Sequence, residues 1–341
     1  MSMSLSIGWA NAGSLHNPRY LHTASLLTNG KVLVTGGYND TTCLNTAELS
    51  DPSNETWSIT NNMNSARCYH AATVLPNGRI LVMGGIYNTI ASNTSEWYDS
   101  STSTWTMTGS MNDGRFGHTS LLLTNGKVLV IGGRNSNFLH STELYDSSTG
   151  IWSVTGSLKD PRLDHTASVL TDGKVLVTGG TYDVLILNSA EVYDPSTGIW
   201  MTTTNMSAAR TGHTASVLSN GKVLVTGGND GFNPLNTAEL FDPVTRTWTS
   251  TSAMNYARDG HTASILRNGK VLVTGGLDDH RNTTELYDPS TGTWTVFDNM
   301  TYARHYHQAT VLGDGSVLVT GGINNLVALE STELHSSIET K

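Results

Sequence analysis

The chain has 341 residues, a formal net charge of −9, 37% hydrophobic residues, 34 glycines and two cysteines. The acidic balance excludes nucleic acid, which needs a basic stripe, and the lack of basic clusters excludes a surface of anionic lipid. Cys43 and Cys68 do not share the repeat described below, so a disulfide framework is excluded, and no apolar run reaches membrane-spanning length.

The opening stretch MSMSLSIGWANAG lacks the charged and apolar regions of a signal peptide, so a soluble, cytoplasmic protein is the expectation, with a secreted one whose signal has been removed as the alternative. Its one structural feature is a short strand around Trp9. From His22, HTASLL reads as a strand ending at Asn29-Gly30, a pair suited to the positive φ angles of a two-residue hairpin turn. KVLVTGG is a β-branched second strand whose terminal glycines allow close backbone approach. A loop, YNDTTCLN, leads to a third strand around Glu48 and a fourth around Trp57.

The same succession then returns along the whole chain. Gly-Gly pairs start at Gly36, Gly84, Gly132, Gly179, Gly227, Gly275 and Gly321, spaced by 48, 48, 47, 48, 48 and 46 residues. Tryptophan keeps the period at Trp9, Trp57, Trp105, Trp152, Trp200, Trp248 and Trp294. An Arg-x-x-His element keeps it at Arg19/His22, Arg67/His70, Arg115/His118, Arg162/His165, Arg210/His213, Arg258/His261 and Arg304/His307. Four antiparallel strands per period make one propeller blade, and seven blades close a ring.

The predicted fold is therefore all-β, a single seven-bladed propeller over 1–341. Blades one to six cover about 19–60, 67–108, 115–155, 162–203, 210–251 and 258–297. Blade seven covers about 304–335 and lacks a tryptophan strand, which residues 5–12 supply from the N-terminus, removing the exposed edge.

These motifs, Gly-Gly after an apolar strand, Glu-x-Tyr-Asp-Pro and then Trp, resemble the kelch repeat over almost the entire chain. The resemblance implies a kelch-type propeller, a fold used mostly for binding peptides or proteins and in a minority for enzymes such as copper-radical oxidases. Fold alone does not choose between them.

Strand direction places the loops after each Gly-Gly on the same ring face as the Arg-x-x-His starts. That face varies from blade to blade and is where specificity belongs. Its apolar and aromatic candidates for a protein or peptide partner are Phe138, Val184, Leu185, Ile186 and Phe232, with Arg134 beside Phe138. Packing of these tips onto neighbouring loops is the competing reading. Between Arg and His, the second variable residue approaches the central mouth. Leu21, Tyr69 and Tyr306, with His305 before the last, predict one aromatic wall, and glycines in blades three, five and six predict a wall of open backbone.

Seven histidines suggest a metal, with His22, His70 and His307 the candidates if there is one. Recurrence in every blade favours structural roles instead, with hydrogen bonds to backbone or to the repeated Glu48, Glu96, Glu143, Glu191, Glu239, Glu285 and Glu333. The seven arginines and these glutamates read as paired networks. By resemblance to kelch domains that bind acidic peptides, Arg19, Arg67 and Arg304 are also binding candidates.

RHYHQATVLGDGSVLVTGG at 304 resembles the galactose oxidase segment with an adjacent Tyr-His copper pair, mapping to Tyr306 and His307, and Tyr69 falls at that family's second tyrosine. The cysteine that should be cross-linked to it is His22 here, so copper-radical chemistry is not expected. No serine-hydrolase elbow, phosphate loop or paired-cysteine zinc motif occurs. The leading expectation is a monomeric, non-enzymatic protein- or peptide-binding module without cofactor. The alternatives are an enzyme or small-ligand or metal binder at the mouth near Tyr69, Tyr306, His70 and His307, and a regular scaffold without a ligand.

Overall fold

The computed structural model describes residues 8–278 and 281–336, and every regular element among them is a β-strand. Residues 5–7 of the expected closing strand, and Asp279 and His280 of the sixth loop, lie outside the described residues. Seven four-stranded antiparallel sheets form the blades. The first runs Thr23–Leu26, Val32–Thr35, Ala47–Asp51 and Thr56–Ile59 from the axis outwards. In every blade the second strand is buried throughout, because neighbouring blades cover both its faces. That is why KVLV reads as a continuous apolar run and not as an alternation.

Blade seven is assembled from both ends of the described chain. Trp9–Ser14 pairs with Ser331–His335, which pairs with Val317–Thr320 and then Gln308–Val311. Trp9 lies opposite His335 and Asn11 opposite Glu333. The core is distributed between blades. Leu33 shares a cluster with Ile80, Val82 and Tyr98 of the next blade, and the closing seam joins Ala12, Leu15 and Leu318 to Val32, Val34 and Trp57.

The periodic residues are fasteners between blades. Each tryptophan indole N–H donates to a carbonyl one blade back: Trp57 to Ala12 at 3.1 Å, Trp105 to Asn61 at 2.8 Å, Trp152 to Gly109 at 2.9 Å and Trp9 to Asp298 at 3.0 Å. Trp200, Trp248 and Trp294 do the same. The histidines reach back too, but to threonine hydroxyls and not to backbone or the glutamates as expected. His70 Nε2 bonds Thr23 at 3.0 Å, His213 bonds Thr166 at 3.0 Å and His22 bonds Thr320 at 3.0 Å. Only in blade three does the partner fail among these seven. His118 faces a blade with Ala71 and Met83 where its neighbours carry threonine, and both its ring nitrogens lack partners.

The glutamates pair with the arginines inside each blade. The Nη2–Oε1 distances are 2.6, 2.9, 2.7, 2.8, 2.9, 3.0 and 2.8 Å from blade one to blade seven. Arg19 Nη1 also donates to the Gly36 and Thr46 carbonyls, and Glu48 accepts from the His16 and Asn17 backbone amides. Each pair thus ties the incoming chain, the Gly-Gly turn and the third strand into one knot.

Two local expectations are corrected. The turn after HTASLL is a three-residue loop, with Gly30 N–H donating to Leu27 and Leu27 N–H to Lys31. Gly30 takes the left-handed conformation (φ 83°) while Asn29 does not, its side chain instead accepting from Lys31 N–H. Cys43 and Cys68, set outside any stabilising scheme by their spacing, are joined as a disulfide, because the first variable loop returns beside the start of blade two.

Candidate functional site

At the variable face the seven blades meet in a ring of backbone. The residue before each repeated histidine is left-handed in all seven blades: Leu21 (φ 53°), Tyr69 (57°), Gly117 (60°), Asp164 (53°), Gly212 (61°), Gly260 (63°) and Tyr306 (51°). Each of these residues donates its N–H to the carbonyl of its counterpart one blade back, at 2.9 to 3.4 Å, and the circuit closes from Leu21 to Tyr306. Glycine adopts this conformation freely and aspartate tolerates it, whereas tyrosine and leucine are held there against their preference.

The ring surrounds a cavity of about 290 Å³ lined by Leu21, Tyr69, Asp164, Asp259, Gly260 and Tyr306. A second hollow of about 200 Å³ adjoins it and shares Leu21, Tyr69 and Asp164. The expected aromatic wall is present. The opposite wall is not bare backbone, as the glycines suggested, but acidic. A Cβ at Gly212 would collide with Asp259 Oδ1, so the carboxylate occupies the space that the glycine leaves. Asp164 Oδ2 accepts a long hydrogen bond from the Tyr69 hydroxyl, 3.4 Å across the mouth. The Tyr306 ring leans over Gly260, with Cε1 about 2.8 Å from where a Cβ would stand.

Burial controls the charge state here. It pushes Asp164 up to about 7, with the nearby Asp259 adding to the shift and Tyr69 opposing it. It pushes Asp259 up to about 6, and raises both Tyr69 and Tyr306 above the usual phenol range. It also holds all seven repeated histidines far below neutrality, so they carry no charge at physiological pH.

Of the residues singled out in the sequence, Leu21, Tyr69 and Tyr306 meet at the mouth. His305 does not join them as a ligand-facing group: it is buried, its ring tilted 56° against that of Tyr306 with centroids 5.0 Å apart. Arg19, Arg67 and Arg304 are withdrawn as binding residues, since all three are fully buried and spend their guanidinium groups on glutamate and carbonyls. His22, His70 and His307 do not converge. Each turns its Nε2 into the seam between blades, and among the described residues no group of three His, Cys, Asp or Glu is placed to hold a metal ion.

On the rim, Phe138 packs edge-on against Tyr182 at 5.7 Å with Arg134 over its ring at 4.8 Å, and Ile186 lies against the loop at Gly231. Val184 (85% exposed), Leu185 and Phe232 (89%) project into solvent. Beyond the residues singled out in the sequence, this face carries Leu326, 87% exposed with φ 64° at the tip of a short hairpin, and the acidic pair. Asp164 was legible as the one acidic residue at a position that glycine, leucine or tyrosine fills in the other blades.

Against known proteins, the family pattern of the KLHDC2/KLHL20/DRC7 Kelch-repeats domain matches residues 8–180 and 117–322. The chain belongs to this Kelch-repeat family. No curated protein matches it. Among solved structures the Kelch-repeat propeller is similar to one described as a novel fungal alcohol oxidase with catalytic diversity among the AA5 family, in complex with copper. The TM-score is 0.79 and the identity 19%, over 97% of this chain and 77% of that one. That likeness shows the fold. The residues present do not fit a copper-radical centre: His307 Nε2 is bound to Thr262 and Thr274, and Cys68 is tied to Cys43 and not to Tyr69.

Proposed function

We propose that this Kelch-repeat propeller is a non-enzymatic module that binds an extended segment of a partner protein across the variable face. The observation that carries this reading is the set of apolar side chains held out to solvent there. Tyr87 and Ile90 stand on blade two, Val184 and Leu185 on blade four, Phe232 on blade five, and Leu326 and Val327 on blade seven. Apolar groups kept in water on several loops of one face have no stabilising role of their own, and Leu326 is held in a strained conformation as well. Kelch-repeat domains commonly mediate protein interactions, which supports the same conclusion.

The test is cross-linked capture with wild type, a Leu185→Ser/Phe232→Ser variant and a Val244→Ser variant on the opposite face. Partners retained by wild type and Val244→Ser but lost by the rim variant support the proposal. Equal capture by all three would overturn it.

A further inference from the structure

We infer that the mouth of the propeller receives one cationic side chain, an arginine guanidinium or a lysine ammonium, from the segment bound across the variable face. This rests on the binding-face reading above and adds the chemistry of its anchor.

Asp259 carries the argument. It is only 9% exposed, it lines the cavity, and its carboxylate stands over Gly212 without a cationic partner among the described residues. Asp164, the second carboxyl of the mouth, has the long bond from Tyr69. Burying carboxylates without a counterion is costly, and a structure that could have neutralised them has cations close by. The seven Arg-x-x-His guanidinium groups, however, are committed to glutamates, and the imidazoles are neutral. The mouth is left with negative charge or protons and nothing positive.

The rest of the lining suits the same guest. Tyr69 and Tyr306 line the cavity, and aromatic rings attract a desolvated cation. An anion finds little there, because the ring N–H groups that could have received it are used in the ring itself. A volume of about 290 Å³ admits one long side chain. The loops around the entrance add Asp40, Asp183, Asp230, Asp278 and Glu330 against Arg134 and Arg281 among the described residues, which draws cations towards the opening.

The test titrates isotope-labelled protein with N-acetyl-arginine methylamide and with its neutral isostere N-acetyl-citrulline methylamide, following the Gly212 and Gly260 amide resonances. The arginine probe is expected to shift both saturably and the citrulline probe to bind at least about tenfold more weakly. Asp259→Asn should weaken the arginine probe by a similar factor. Should Asp259→Asn not fold, Asp164→Asn carries the same test. Equal binding of the two probes, or unaltered binding by a folded Asn variant, overturns the proposal. Leu185→Ser should leave the capped arginine unaffected but remove the added affinity of a peptide that sets arginine among apolar residues. If the capped arginine binds as expected and the peptide adds nothing, the rim reading fails and the mouth reading stands.

Discussion

Replacing Arg210 by methionine isolates what the repeated ion pair contributes. Arg210 is fully buried, and its Nη1 donates to the Gly227 and Thr237 carbonyls at 2.7 and 3.2 Å. Its Nη2 donates to Thr237 Oγ1 at 3.2 Å and to Glu239 Oε1 at 2.9 Å. Glu239 keeps only the Ser207 and Ala208 amides. The substitution preserves much of the volume but leaves two carbonyls and a carboxylate without their donor. Each orphaned neutral group costs about 1–3 kcal/mol, and an uncompensated buried charge brings the loss for such a pair to about 3–5 kcal/mol. Water entering from the loop side relieves part of it, so about 3 kcal/mol is expected. Adding Glu239→Gln removes the buried charge while its carbonyl still accepts from Ser207, and the double variant should recover about 1–2 kcal/mol. Urea unfolding followed by tryptophan fluorescence measures both. A loss below about 1 kcal/mol for Arg210→Met, or a double variant less stable than the single, would refute the knot as a source of stability.

Acid should unfold the propeller early. The folded pKa is about 3 for His22, His165 and His261 and well below 6.5 for the other four repeated histidines, so below about pH 6.5 the unfolded chain binds protons that the folded one refuses. Stability is whole above that point and falls with pH, by about 2 kcal/mol per histidine at pH 5 before any relaxation. Asp164 and Asp259 act oppositely, since their raised folded pKa values add stability as pH falls through about 7 and 6, but two groups do not offset seven. A melting temperature that stays level between about pH 7 and 4.5 would contradict the burial of the imidazoles. Removing residues 1–15 deletes the Trp9–Ser14 strand and with it Ala12 and Leu15 of the closing seam. The melting temperature should drop sharply, and an unchanged value would refute closure by this strand.

Blade count, strand order, the split seventh blade and the recurring pairs were all legible in the sequence, because each follows from a local period that every blade repeats. The fastening roles were legible only in kind. That seven arginines face seven glutamates is a pattern, but that they are buried past any ligand depends on the Gly-Gly turn and the third strand folding over them. His118 shows the same limit: its motif matches its six counterparts, and it lacks a partner because of Ala71 and Met83, one blade away.

The sequence by itself determined the frame, since β-branched runs and turn residues act within a few residues of one another. The mouth was decided by tertiary structure. Asp164 and Asp259 lie 95 residues apart, and Tyr69 stands another 95 before Asp164. Only closure of the ring sets them around one cavity, away from water and from any counterion. That shared burial gives the site its chemistry, and a sequence read blade by blade does not contain it.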